Sequence, residues 1–327
     1  MYIEPFSYAW ADSNVAGFMG LYGFGSAVMI GRWTAIFSLP KFYTALVKCV
    51  PKSRERPLHE RAHYIQTCVF SAIFIAITMV ASVKSTVQRI EGAINATVSG
   101  NSTATAGDIS FFSPANFFGL EPILALLTGL VSVLATLIFS YLHKVVFAQL
   151  EDFNRELKET SDRDGLSSTL GSLAVRHSAL LQLCATLAHH TSTFATIAML
   201  ASLLANVNVL YIIMALTKGL PAFSTAATFL WVIGSLGLII VTISPMSNVQ
   251  KELYKSTAII VNDASIAENT EKTVLANLMV QRIEKSPTQI VLMDAFPVGK
   301  NTSHLIMFIA PNVATILAML YKAITYQ

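Results

Sequence analysis

The sequence predicts an all-α fold: a single polytopic membrane domain, residues 1–327, with long helices that project into the cytoplasm. Hydrophobic residues make up 54% of the chain and charged residues 13%, and the mean hydropathy is +0.57. A soluble core does not need this much apolar surface. Residues 176–216 contain neither Pro nor Gly. At about 1.5 Å per residue they would form a helix of roughly 60 Å, about twice the hydrocarbon core of a bilayer.

Composition and motifs argue against several function classes. A net charge of +3 gives no indication of a nucleic-acid partner. Phosphate-loop, zinc-protease, paired-cysteine and nucleophile-elbow motifs are absent from the sequence. Adjacent His189 and His190 would point about 100° apart on a helix, so they would not share a metal. We expect no enzyme activity, no cofactor and no metal site, and we expect Cys49, Cys68 and Cys184 to be packed thiols.

Six apolar segments are long enough to cross a bilayer. They lie at about residues 16–47, 64–85, 117–143, 194–216, 223–243 and 304–326. Residues 1–15 are predicted to be an exposed arm. The first span carries small residues at Gly17, Gly20, Gly23 and Gly31, which would let another helix backbone approach closely in lipid.

Basic residues and sequons predict the orientation of these spans. The loop at 48–63 contains five Lys or Arg residues and should stay in the cytoplasm. Asn95 and Asn101 both begin glycosylation sequons in the following loop, which we predict to be extracellular and glycosylated. Asn301 begins a third sequon, on the cytoplasmic side or at the membrane edge, and should not be modified. Both termini would lie outside a plasma membrane.

Two cytoplasmic regions, 144–190 and 248–302, are predicted to form an anchor of amphipathic helices. The apolar pattern of the third span continues to Leu157, and 161–169 is predicted to be the turn into the next long helix. The stretch 244–302 is polar but contains apolar residues at roughly helical spacing: Leu253, Ile259, Ile260, Ile266, Val274, Leu278 and Ile283. We predict that this helical part breaks at Ser286-Pro287 and that a short apolar segment follows at 291–298.

The last predicted span carries one modestly polar stripe. His304, Phe308, Asn312, Thr315 and Met319 follow one another at spacings of four, four, three and four. A helix with one wet side and one apolar side suits a water-filled pathway, so the first four of these residues are candidate pore-lining residues. In the alternative interpretation, Asn312 and Thr315 hydrogen-bond a neighbouring helix and a proline bends the span.

Several segments in the second half of the chain resemble the insect gustatory and odorant receptor superfamily. They are Phe-Asn-Arg-Glu-Leu at 153–157, Arg-His-Ser-Ala-Leu-Leu-Gln-Leu-Cys at 176–184, Thr-Ser-Thr-Phe at 191–194, Leu-Tyr at 210–211 and Ala-Phe-Pro-Val at 295–298. The resemblance implies a chemoreceptor-like subunit of a ligand-gated cation channel. It also implies four identical or different subunits in lipid, a pore lined by the last helix, a cytoplasmic anchor, and a small-molecule ligand between the outer halves of the spans.

The chain departs from that family in two places. The family closes on a Thr-Tyr pair followed by Gln-Phe, where this chain has Thr315-Ile316 and Lys322-Ala323. The family also has seven spans, and the six counted here make the chain resemble a divergent member without the first span.

Two other function classes compete with the channel. A serpentine G-protein-coupled chemoreceptor is disfavoured by the even number of spans, the lack of an extracellular cysteine pair and the lack of an Asp-Arg-Tyr-like triplet. A non-conducting membrane scaffold or transporter fragment is the other alternative. Coupled transport usually needs ionisable groups at mid-membrane, whereas the predicted spans contain few charged residues, among them Arg32 and Glu121 near span ends.

Overall fold

The computed structural model is built almost entirely of helices. The described residues are 8–35, 42, 44, 69, 72, 73, 75, 76, 79, 80, 121–216, 222–267, 269–285, 291, 292, 296, 297 and 302–325. In chain order the elements are α1 Tyr8–Ala35, α2 Glu121–Asp164, α3 Leu170–Tyr211, a π-helical turn Ile212–Leu216, α4 Ala222–Asn262, α5 Ala264–Ala267, α6 Thr270–Lys285, β1 Val291–Leu292, β2 Phe296–Pro297 and α7 Thr302–Thr325.

Four helical segments are long and apolar enough to cross a membrane: Asn14–Thr34, Leu126–Arg163, Leu170–Leu216 and Thr225–Asn262. A shorter apolar stretch, Phe308–Ala323, lies within α7. These five correspond to the first, third, fourth, fifth and sixth predicted spans. Of the second predicted span, 64–85, the structure describes only residues 69, 72, 73, 75, 76, 79 and 80, all of them helical. Asn95, Asn101, Asn301, Cys49 and Cys68 lie outside the described residues.

Helix α3 is the central element of the fold and has the length that its sequence predicts. It runs for 42 residues and continues through the π-helical turn. Its apolar residues at helical spacing, Leu173, Leu180, Cys184 and Leu187, are all buried. It packs against α1, α2, α4, α6 and α7.

Helices α2 and α4 also continue far beyond the length of a single span. Helix α2 has 44 residues, and its apolar stripe at Leu150, Phe153 and Leu157 is buried. Helix α4 has 41 residues and passes through Pro245 without ending. It therefore continues well past residue 243, where the fifth span was predicted to end. Buried Ile243, Met246 and Val249 hold the helix together across the missing N–H of the proline.

Helix α1 begins at Tyr8, so the prediction that residues 1–15 form an exposed arm is wrong for 8–15. Ala11 and Val15 are buried. At the other end of the helix, the Trp33 Nε1–H donates to the His190 carbonyl oxygen at 3.0 Å. Since Ala11 packs with Tyr211, α1 runs antiparallel to α3.

Helix α6 is described as far as Lys285, and the break predicted at Ser286-Pro287 lies outside the described residues. Its buried face is formed by Ala276, Met279 and Ile283, while Val274 and Leu278 are about half exposed. After it, β1 and β2 pair antiparallel, with Val291 opposite Pro297. This short ladder lies within the predicted apolar segment at 291–298.

Charge divides the described helices into two zones. The apolar layer comprises 14–34, 122–143, 190–216, 222–243 and α7. Its charged residues, Arg32 and Lys322, both stand in the last turn of their helices. The charged end comprises 144–189 and 244–285. Apart from Asp12 and Glu121, it contains the rest of the charged residues that the structure describes in these helices.

Candidate functional site

Helix α7 packs on the fold through a ridge of three alanines. Ala310, Ala314 and Ala318 recur every four residues and are buried, at 2%, 0% and 7% exposure. Ala318 contacts Tyr211 and Ile212 at the end of α3. Because methyl groups allow close backbone approach, one side of α7 is fixed and the other is left open.

The open side of α7 contains much of the predicted stripe. Phe308 is 67% exposed and Met319 is 65% exposed, and Asn312 between them is also exposed. Beside this strip, Ile316 and Leu320 form an apolar strip with 57% and 49% exposure. The open face of α7 is therefore divided lengthwise into a mixed polar half and an apolar half.

The other two candidate pore residues occupy different positions. Thr315 lies at the edge of the packed face, where its hydroxyl donates to the Pro311 carbonyl oxygen at 2.7 Å and lies 3.7 Å from Met214 Sδ. His304 belongs to the first turn of α7, and its side chain lies outside the described part of the structure. Phe308 and Asn312 thus share the open face, while Thr315 faces a neighbouring element.

Asn312 donates from Nδ2 to the Phe308 carbonyl oxygen at 2.6 Å, within its own helix. A side-chain amide has two N–H donors and an oxygen acceptor, so this bond uses only part of its capacity. The Thr315 hydroxyl approaches a neighbouring element at Met214, but its single proton is donated to Pro311 within α7. Asn312 makes no interhelical hydrogen bond within the described chain.

The π-helical turn Ile212–Leu216 is a junction that the sequence did not reveal. At the entry to this turn, the Ile212 N–H is directed to the carbonyl oxygens of both Asn208 and Val209, four and three residues earlier. The turn packs against α1, α4 and α7. Widened turns of this kind are rare and often occur at functional positions. No Gly or Pro lies in 212–216, so no local signal could have predicted it.

Polar contacts hold the apolar layer together. The Tyr22 and Thr136 hydroxyls lie 2.6 Å apart and join α1 to α2. Asn206 Nδ2 donates to Ser235 Oγ at 2.9 Å and joins α3 to α4. Between apolar helices such bonds contribute about 0.6 to 2 kcal/mol each. Asparagine in an otherwise apolar run was a visible signal for this kind of contact.

In the charged end, a buried histidine lies between α2, α3 and α6. His177 is fully buried, and its ring centroid lies 5.8 Å from that of Phe153. Its neighbour Arg176 forms an ion pair with Glu156 and also lies over the Phe153 ring. Burial, together with the positive charge of Arg282 on α6, lowers the pKa of His177 to about 4. The imidazole is therefore neutral at pH 7.

A carboxylate joins the two turns at the tip of the charged end. Asp263 Oδ2 accepts hydrogen bonds from Ser161 Oγ at 2.5 Å and from the Leu166 N–H at 3.2 Å. Its Oδ1 accepts from the Ser265 N–H at 2.9 Å and from Ser265 Oγ at 2.5 Å. Burial raises the pKa of Asp263, but these four hydrogen bonds outweigh burial and leave the pKa below its usual value. We call this cluster the Asp263 latch.

Within the described ranges, no group of three His, Cys, Asp or Glu side chains is arranged to hold a metal ion. The two rings of His189 and His190 lie edge to face, with centroids 4.9 Å apart. Cys184 is buried between packed helices.

A family model described as "Caenorhabditis protein of unknown function, DUF267" matches residues 2–314. The chain belongs to this family. The DUF267 match runs from the N-terminal region through α6 and ends inside α7. It therefore includes Phe308 and Asn312 and stops one residue before Thr315. No curated protein matches the chain.

Proposed function

We propose that this chain is a chemoreceptor-like subunit of a ligand-gated cation channel in the plasma membrane. In this proposal the apolar layer lies in the bilayer and the charged end projects into the cytoplasm. The two zones support it, because helices of 41 to 44 residues would extend roughly 60 Å, and the apolar layer accounts for about half of that length.

The exposure of Asn312 is the observation that supports the proposal most. Its amide lies on the open face of α7, within the apolar layer, and retains unused hydrogen-bonding groups. An amide that faces lipid without partners costs several kcal/mol. Water or another polar surface is the environment that removes this cost, and a symmetric assembly around α7 provides one.

The division of the open face fits such an assembly. The half with Phe308, Asn312 and Met319 would face a central aqueous path, and the half with Ile316 and Leu320 would face lipid or the adjacent subunit. Four subunits, identical or different, are the number that the family resemblance implies. The ligand would be a small molecule held between the outer halves of the helices, with the sequons at Asn95 and Asn101 on the same, outer side.

Substitution of Asn312 by Leu tests the pore assignment. The chain is expressed in cells, and single-channel currents are recorded, either spontaneous or evoked by a panel of small apolar compounds. We expect N312L to lower the single-channel conductance, because a ring of leucines would form an apolar constriction that excludes water. Ile316→Leu on the apolar half conserves volume and polarity and is the matched control, with unchanged conductance.

The outcomes separate the competing functions. An N312L conductance equal to that of the wild type would remove Asn312 from the conduction path. A wild-type chain that reaches the cell surface and gives no current would contradict the channel proposal and favour the scaffold or the G-protein-coupled receptor.

A further inference from the structure

His177 combines complete burial with the absence of any hydrogen bond. Neither ring nitrogen has a partner among the described residues. A neutral imidazole has one N–H donor and one lone pair, so each tautomer leaves both groups unsatisfied, at a cost in free energy. The surroundings of His177 thus tolerate its imidazole only in the neutral form.

The charged groups around His177 are predominantly positive on the nearest elements. Arg176 precedes it on α3, and Arg282 approaches it from α6. On α2, Glu156 is the counter-charge and is already paired with Arg176. On α4, Glu252 is occupied by Asn154 and Lys255, and the described residues of β1 carry no charge. Glu156 and Glu252 are thus already paired, and an added positive charge on His177 would lie close to the charge of Arg282.

We propose that His177 is a proton sensor that controls the attachment of α6 to α3. A proton needs no cavity, so it can reach a histidine that packing closes to larger ligands. The imidazolium would sit beside two arginines, in contact with the Phe153 ring and without a partner. The separation of α6 from α3 would relieve this charge by admitting water, because α6 packs against α3 and carries Arg282, whose charge acts on His177.

The chain beyond α6 makes this movement consequential. Residues 286–301 separate α6 from α7, and β1 within this stretch also packs against α3. The release of α6 would therefore remove one of the contacts that precede the last helix. The inference does not depend on the channel proposal, because the release of α6 is a structural event that can be measured without current.

Linkage gives the size of the expected effect. The unfolded pKa of histidine is about 6.5, and in the folded chain the pKa of His177 is about 4. The folded state binds fewer protons between these values, so the attachment of α6 is strongest above pH 6.5 and weakens as the pH falls towards 4. For one group, the opening equilibrium rises about tenfold from pH 7.5 to pH 5.5 and levels off below about pH 4.

Amide hydrogen exchange of residues 270–285 measures this equilibrium. The full chain is purified in lipid nanodiscs, and exchange rates at pH 7.5 and 5.5 are corrected for the intrinsic effect of pH. We expect the wild type to lose about tenfold protection over this range. His177→Phe keeps a ring against Phe153 but does not titrate, and His177→Gln is a smaller neutral replacement. Both variants should show flat protection. The exposed His189→Phe is the matched control and should respond as the wild type does.

Arg282→Gln gives a second readout, the pH at which the protection of α6 is lost. This pH would not change if His177 only filled space. Without the nearby positive charge, the pKa of His177 rises towards its usual value. The loss of protection should then level off at a higher pH and reach a smaller total. Equal protection of wild-type α6 at both pH values overturns the proposal. An acid response that persists in both His177 variants overturns it as well.

Discussion

Replacement of Asp263 by Asn should open the tip of the charged end. The carboxylate accepts four hydrogen bonds from Ser161, Leu166 and Ser265, and only 7% of the residue is exposed. Asparagine has nearly the same shape but offers one acceptor oxygen and one NH2 donor. The new NH2 group would therefore face N–H or O–H donors on one side of the latch.

The magnitude follows from the bonds that change. Hydrogen bonds to a charged group contribute about 1.5–3 kcal/mol each and neutral ones about 0.5–1.5 kcal/mol. If the bonds on one oxygen weaken and those on the other are lost in part, the cost of D263N is about 2–3 kcal/mol. The D263A variant, which leaves the Leu166 N–H without its acceptor, should cost about 3–5 kcal/mol.

Exchange of the Leu166 amide proton is the most direct assay, because this N–H donates to the latch. Since 1.36 kcal/mol is a factor of ten, we expect D263N to raise its exchange rate by about 30-fold to 150-fold. Asp162 is exposed and follows Ser161 directly in the chain. Asp162→Asn is therefore the matched control and should leave Leu166 exchange nearly unchanged.

Equal exchange of the Leu166 amide in D263N and D162N would refute the reasoning. The pH dependence gives a second check. Because the folded pKa of Asp263 lies below its usual value, the contribution of the latch is complete above the unfolded pKa of about 3.9 and is lost as the pH falls through the folded pKa. The latch therefore weakens at lower pH than the attachment of α6, which depends on His177, so the two acid responses can be separated.

Two glycine substitutions test the close contacts of the fold. Gly165 has φ +71°, and an added Cβ would lie 2.5 Å from Ser265 Cβ, so Gly165→Ala should cost about 2–4 kcal/mol in thermal unfolding measured in detergent. In Gly23→Ala the added Cβ would overlap Thr128 on α2, whereas at Gly20 nothing lies within 4 Å. We expect G23A to destabilise the chain by about 1–3 kcal/mol and G20A to change stability by less than about 1 kcal/mol; equal melting temperatures would contradict the α1–α2 contact.

The sequence predicted the long helices because their signals are local. Helix α3 has no Pro or Gly after residue 175, and the stripe of α2 continues in register to Leu157. The structure departs from expectation where a local signal is weaker than packing. Proline disfavours the interior of a helix, yet α4 runs through Pro245, with Ile243 and Met246 buried on either side. In α6, periodicity allowed more than one apolar stripe, and Val274 and Leu278 fell on the exposed one.

The candidate site was predictable only in part for the same reason. The spacing in α7 placed Phe308 and Asn312 on one face, and they share the open face of the structure. The contact between Thr315 and Met214 joins residues 101 positions apart, and the Asp263 latch joins turns about 100 positions apart. No periodicity within one helix contains such information, because it depends on how the helices pack.

The burial of His177 also becomes understandable from packing. Each fully buried Leu or Phe contributes about 1.5–3 kcal/mol, and several of them surround the charged end's interior: Leu150, Phe153, Leu157, Leu173 and Leu180. Together they outweigh the cost of one neutral histidine without hydrogen bonds. An imidazolium in the same place is far more costly, because desolvation of a charge adds to repulsion from Arg282. The same packing that tolerates the neutral ring therefore makes its protonation disruptive.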